Sequence, residues 1–162
     1  RLFVIAVHFD GKASDTPEFG AEQPVSAYSA TRRQAQAQLV HDFVAQILDC
    51  EPEAKVVVAG NPNDDLYTGA VAALEGASLF PLMDLLPANA RFSSVRAGNS
   101  RVTTQMLVSS ALWTNAPRFD VVHVQAEFAG TEAYDDPVVG KVALTKVPQG
   151  SLYLPLVSRV GP

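Results

Sequence analysis

The chain has little that can cross-link or titrate. Its 162 residues include one cysteine, three histidines and one tryptophan, and only 18 % are charged. With Cys50 alone, no disulfide can close within the chain. Its thiol reads as half-buried at a helix end, with a bridge to a cysteine outside the chain as the other reading. Basic residues are outnumbered 12 to 17, a formal net charge of −5, which disfavours broad electrostatic capture of nucleic acid. No apolar run reaches the length of a membrane-spanning helix. Yet 48 % of residues are hydrophobic and the mean hydropathy is +0.10, so the apolar excess is expected to pack against protein. There is no internal repeat, no low-complexity segment and no Asn-x-Ser/Thr glycosylation acceptor. Nor does the opening read as a signal peptide. Arg1-Leu2-Phe3-Val4 opens directly into a strand pattern, as expected of a processed chain or a segment of a longer one.

What is present is organised around Lys55–Asp64. Val56, Val57 and Val58 are consecutive β-branched residues without alternation, which predicts a strand covered on both faces. Gly60 permits a sharp turn, and the polar run Asn61-Pro62-Asn63-Asp64 follows where the strand opens into a crevice. A metal site or general base at Asn61 would want a carboxylate, since an amide cannot ionise.

Around this centre the pattern predicts an α/β fold. Leu2–His8 reads as a first strand covered on both faces, followed by a long loop over 9–28. A helix is expected from Ser29, its N-cap, to about Asp49. Ala35, Leu39, Val40, Phe43, Val44, Ile47 and Leu48 form its buried stripe, and Arg32, Arg33, Gln34, Gln38 and Asp42 mostly its solvent side. Glu51-Pro52-Glu53 stops the helix, and the strand–helix–strand order implies a right-handed crossover between neighbouring strands. Thr68 to Leu74 reads as a short helix ending at Gly76, and Leu79 to Leu86 as an apolar turn or short helical piece. Phe92–Arg96 and Arg101–Val108 are expected to form a hairpin. Ser109–Trp113 reads as a helical turn, Phe119–Phe128 and Val138–Leu144 as strands. Residues 1–145 form the domain, and 146–162 a linker or added edge strand.

Four loops follow strand ends: after His8, after Gly60, around Thr104 and at 133–136. Neighbouring strands would bring them to one rim. His8 reads as a proton carrier or ligand, or as a hydrogen-bonded strand-end histidine. Asn61, Asn63, Asp64 and Asp65 have the chemistry of a hard-cation site and also that of an ordinary turn. Asp135-Asp136 reads as a metal-holding pair or a solvated loop. His41, on the helix, and His123, within a strand, read as structural.

The order of these loops resembles the endonuclease/exonuclease/phosphatase family, closest to its large secreted bacterial nucleases. The likeness rests on strand-end His8, Arg33-x-x-Gln36-Ala37, Val56–Asp64, the 92–108 hairpin, Phe119–Phe128 and Asp136-Pro137-Val138-Val139. It covers the chain to about Leu144 and corresponds to the C-terminal half of the family domain. The resemblance implies half of a two-sheet α/β sandwich with outer helices, and metal-assisted phosphodiester hydrolysis with Mg²⁺ or Ca²⁺. Matched residue by residue, His8 and Asn63 are kept, as are Asp136 and Pro137 of a closing Ser-Asp-His-Asp-Pro motif. Asn61 stands where the family has Asp, Thr104 where it has Asp, Tyr134 where it has Asp and Asp135 where it has the catalytic His. The metal-binding Glu belongs to the half not represented here.

The expectation is a catalytically degenerate nuclease-like domain, an extracellular structural or interaction module without cofactor. Its vestigial site would be His8, Asn61, Asn63, Thr104, Asp135 and Asp136. A single sheet of such a sandwich would leave its inner face in water, so a partner is expected: the missing N-terminal half or another copy of the chain. The rival is an active phosphodiesterase using His8, Asn63, Asp135 and Asp136, with Asn63 and Asp136 as the metal ligands. A third reading is a nucleic-acid or sugar-phosphate binder, which the acidic charge disfavours.

Overall fold

The computed structural model describes residues 1–17, 20–96, 98–126, 128, 135–144 and 151–156. Four strands make the principal sheet: β1 (Leu2–His8), β2 (Lys55–Asn61), β6 (Gln105–Ser109) and β3 (Leu79–Pro81), in the order β1-β2-β6-β3. β1 and β2 run parallel in register from Leu2 opposite Lys55 to His8 opposite Asn61; β6 is antiparallel to β2 and β3 to β6. A second sheet holds β7 (Arg118–Val121), β8 (Val138–Ala143) and β9 (Ser151–Leu156), all antiparallel. A ribbon, β4 (Ser94–Arg96) with β5 (Asn99–Arg101), stands beside them.

The valine run of β2 alternates between two cores. Val56 and Val58, with Leu107 of β6, pack under two helices, α1 (Tyr28–Cys50) and α2 (Gly69–Glu75), through Ala37, Val44, Ala70 and Leu74. Val57 and Ala59, with Met106 and Val108, pack against Phe119 and Val121 of β7 and Val138 and Val142 of β8. The layers are therefore helices, four-stranded sheet, three-stranded sheet. Gly140 lets the sheets approach: a Cβ there would strike Met106 Sδ. The inner face of the principal sheet is thus largely covered within the chain, contrary to the single-sheet expectation, because β7–β9 form the opposing layer.

Several expectations are corrected. β1 is covered on one face only. Phe3, Ile5 and Val7 pack under the helices, while Val4 is 53 % exposed and Ala6 and His8 are also open, because β7–β9 do not extend over this edge strand. The N-cap of α1 is Ala27, and Ser29 lies inside the helix, buried beneath the 9–28 loop. The buried line of α1 runs through Ser29, Arg33, Ala37 and Val44, with Val40, Ile47 and Leu48 partly covered; Leu39 and Phe43 are 70 % and 52 % exposed. The stripe is rotated from the one expected because Arg33 has buried acidic partners and belongs to the inner face. Cys50 ends the helix exposed rather than half-buried.

The second arm of the expected hairpin divides: β5 pairs with β4, and β6 leaves to join the principal sheet. Leu79–Pro81 is a strand followed by a 3₁₀ turn at Leu82–Leu85, and α3 (Ser110–Trp113) makes the helical turn after β6. β7 ends at Val121, well short of Phe128, because the backbone beyond wraps a buried carboxylate. Among the described residues no helix is long and apolar enough to cross a membrane.

Candidate functional site

The C-terminal ends of β1 and β2 lie side by side and set His8 opposite Asn61. Gly60, just before, has φ +150°, and a Cβ there would drive into the Val7 carbonyl; only glycine lets the strands close at this point. Asn61 is buried and both polar atoms of its amide are hydrogen-bonded. Its Nδ2 donates to Asp135 Oδ2 at 3.1 Å, and its Oδ1 accepts the Asn63 N–H at 2.7 Å. Asn63, at φ 51°, donates its own amide to the Phe9 carbonyl at 2.7 Å. The resemblance sets the family's Asp and His at positions 61 and 135, and these two positions are in direct hydrogen-bond contact.

Asp135 is buried, not a solvated loop residue. Its Oδ1 has no hydrogen bond among the described residues and lies 3.8 Å from Arg96 Nη2. Burial pushes this carboxyl above the usual range and the charge of Asp136 adds to it; the nearby Thr103 hydroxyl and Arg96 guanidinium pull the other way. Thr104 is buried, its backbone N–H bonded to Ser93 Oγ and its hydroxyl without a partner among the described residues. Gln105 next to it is buried, and neither amide atom is bonded among the described residues.

Asp136 faces elsewhere. Its Oδ1 accepts the backbone N–H groups of Val124, Gln125 and Ala126 at 3.1, 2.8 and 3.1 Å, and its Oδ2 meets His123 Nδ1 at 3.1 Å. The Asp136 N–H donates to the Ser93 carbonyl at 2.6 Å. His123 therefore sits beyond the strand, stacked on Phe92 with ring centroids 4.2 Å apart. Of the six residues expected at the site, His8, Asn61, Asn63, Thr104 and Asp135 gather at this rim. Asp136 organises the neighbouring loop. His41 lies between the helices, its ring against Gly76 and its Nδ1 without a partner among the described residues.

An ionic chain that no local pattern announces runs beside the rim. Arg33, 2 % exposed, donates through Nε to Asp64 at 3.3 Å, lies 3.6 Å from Asp15 and is bonded to Ser29 Oγ. Lys12 reaches Asp64 at 3.1 Å and Asp65 at 3.7 Å, and Arg101 clasps Asp65 through Nε and Nη2. Gln36 Oε1 accepts the Asp10 N–H at 2.8 Å. Arg33 and Gln36 of the quoted motif thus both moor the 9–28 loop. Burial raises the carboxyls of Asp15 and Asp65. Hydrogen bonds and cations outweigh it, from Ser29 and Arg33 in one case and Arg101 and Lys12 in the other, so both fall below the ordinary range.

Two adjoining hollows open here. One, of 430 Å³, is lined by His8, Lys12, Asn63, Arg96, Arg101 and Thr103 among others; the second, of 730 Å³, shares Lys12, Asp65, Arg96 and Arg101 and extends along Thr16, Pro17 and Val25. Among the described residues no group of three or more His, Cys, Asp or Glu side chains could hold a metal ion. The carboxylates at hand are committed: Asp64 and Asp65 to cations, Asp136 to N–H donors, Asp135 to Asn61. This donor set does not fit the Mg²⁺ or Ca²⁺ that the resemblance implies, since such ions need several free oxygen ligands.

No family model matches the chain, and no curated protein matches it. Solved structures do. Truncated Caenorhabditis elegans TDP2 superposes with a TM-score of 0.57 at 15 % identity, over 80 % of this chain and 48 % of that one. Staphylococcus aureus beta toxin 275-280 superposes with a TM-score of 0.51 at 11 % identity, over 86 % of this chain and 52 % of that one. Both have the endonuclease/exonuclease/phosphatase fold, so the fold of this chain is the nuclease-like α/β one. The chain spans about half the length of each.

Proposed function

We propose that this chain is a nuclease-like domain without hydrolytic machinery, serving as a structural or interaction module in an extracellular assembly. The observation that carries the reading is the Asn61–Asp135 hydrogen bond. Phosphodiester hydrolysis at this rim needs a base to take a proton from water and a cation to stabilise the phosphorane charge. Asn61 cannot take that proton, and its amide occupies one oxygen of Asp135. Thr104, neutral and buried, adds no charge, and losses among residues that act as a unit cost orders of magnitude in rate. The extracellular placement rests on the likeness to secreted nucleases. The module is expected to act with a partner, either the remaining half of such a domain or another copy.

The second reading, a phosphodiesterase with a rearranged site, draws on the hollow beside His8 and Asn63 and on the buried Asp135 carboxyl, raised toward a useful proton affinity. A plasmid-nicking assay with Mg²⁺ or Ca²⁺ separates the two. The expected result is no metal-dependent cleavage. Cleavage that His8→Ala or Asp135→Asn abolishes would establish the second reading instead.

A further inference from the structure

We propose that Gly11–Ser14 is a movable flap on the 430 Å³ hollow, fastened by Lys12 and flexing between fixed points at Asp10 and Asp15. Phe9 and Ser29 are buried; among the described residues between them none is, and none packs into either core. This segment is held by polar contacts alone, which open locally at lower cost than buried apolar ones. Its fixed points are well tied. The Asp10 N–H donates to Gln36 Oε1 at 2.8 Å, and the Asp10 carboxylate lies 3.5 Å from Arg32. Asp15 accepts the Ser29 N–H at 2.7 Å and the Ser29 hydroxyl, and lies 3.6 Å from Arg33.

Four residues span the gap. Lys12 carries their only charge, and the Asp15 N–H closes their 3₁₀ turn on the Lys12 carbonyl at 3.0 Å. Gly11 is exposed, and a Cβ there would meet no atom within 4 Å, so the backbone rotates at this point without a clash. The two ionic attachments differ in what their release leaves behind. When Lys12 lets go, Asp64 keeps Arg33 and Asp65 keeps Arg101, so neither acid is stranded. When Asp15 lets go, Arg33 and Ser29 lose a partner in the interior, which costs far more. Exposure sets the same order. The Lys12 and Asp65 side chains are 30 % and 32 % open, those of Arg33 and Asp15 only 3 % and 9 %, and salt screens open pairs more than buried ones. The Lys12 attachment therefore opens first, and Gly11–Ser14 bows outward while Asp15 stays in place. Gly11, Lys12 and Ala13 line the hollow beside His8 and Asn63, so the motion widens it next to the rim. The flap does not depend on whether the rim hydrolyses anything, so the nicking result leaves it untouched.

Amide hydrogen exchange of the full chain, read residue by residue by NMR and normalised to an unstructured peptide, tests the flap. Raising NaCl from about 0.01 M to about 1 M shortens the screening length from about 30 Å to about 3 Å. Exchange of the Asp15 N–H, which breaks its bond to Lys12 as the flap bows, should speed up several-fold. The Thr16 N–H, bonded to the Ser26 carbonyl, and the Ser29 N–H should hold steady. Lys12→Met at low salt should reproduce the fast Asp15 exchange and remove its salt response, with circular dichroism confirming the fold. An Asp15 N–H indifferent to both salt and Lys12→Met overturns the proposal. Equal acceleration at Asp15, Thr16 and Ser29 also overturns it, because the whole 9–28 loop then moves as one piece.

Discussion

At the scale of single residues, buried polar groups dictate what the rim tolerates. Asn61→Asp would put a second carboxylate where the amide now lies 3.1 Å from Asp135, in place of a donor. Two such groups cannot both ionise cheaply. The variant should lose about 1–3 kcal/mol at neutral pH, with the loss shrinking in mild acid as one proton is shared; urea denaturation at two pH values reads this out. Asp136 tests a different dependence. Asp136→Ala strands three backbone N–H groups and should cost about 3 kcal/mol or more. Asp136→Asn, which keeps an acceptor, should cost clearly less. Residue type and neighbours alone did not separate Asp135 from Asp136; only the resemblance did, by setting Asp135 at the family's His and Asp136 at its Asp. Adjacent carboxylates before a proline look alike on paper, and only the fold turns one toward the crevice and the other into the 123–126 loop.

Elements were legible where apolar pattern and covalent constraint agreed, as at β2, where three valines and a glycine define a strand and its end. α1 was legible in extent but not in orientation. Its sequence shows Leu39 and Phe43 as core and Arg33 as surface, and the acids that draw Arg33 inward lie 18 and 31 residues away, at Asp15 and Asp64. Long-range ion pairs leave no local periodicity. The consequence is measurable: Arg33→Met should leave two poorly solvated carboxylates without their shared cation and cost about 3–5 kcal/mol, whereas Arg32→Met, at the exposed neighbour, should cost under about 1 kcal/mol. The end of β7 was illegible for a related reason. Val122 and Val124 have strand character, but the Val122 N–H goes to the Pro137 carbonyl and the Val124 N–H is drawn off by the Asp136 carboxylate in another segment.

For the whole molecule, the pH dependence of stability combines groups shifted in opposite senses. Asp135 and Glu75 have carboxyls raised above the ordinary range, both chiefly by burial. Such groups stabilise the fold fully below their unfolded values, a contribution lost as pH rises through the folded ones. Asp15 and Asp65 are lowered, and their contribution, present above the unfolded values, is lost as pH falls through the folded ones. The melting temperature should therefore rise from neutral into mildly acidic solution and drop steeply below the carboxylate range. Asp135→Asn should flatten the rising limb while leaving the acid drop in place. The layer contact is equally a property of the whole. Gly140→Ala should cost about 1–3 kcal/mol by pressing on Met106, and Met106→Ala in the same chain should return part of it.

Lys12 borders both hollows, its ammonium gripped by Asp64 and Asp65. With Asp65, Arg96 and Arg101 it forms the wall common to the two. Dissolved electrolyte weakens its hold on the two acids. The contour of that shared wall is thus sensitive to the ionic strength of the medium as well as to packing.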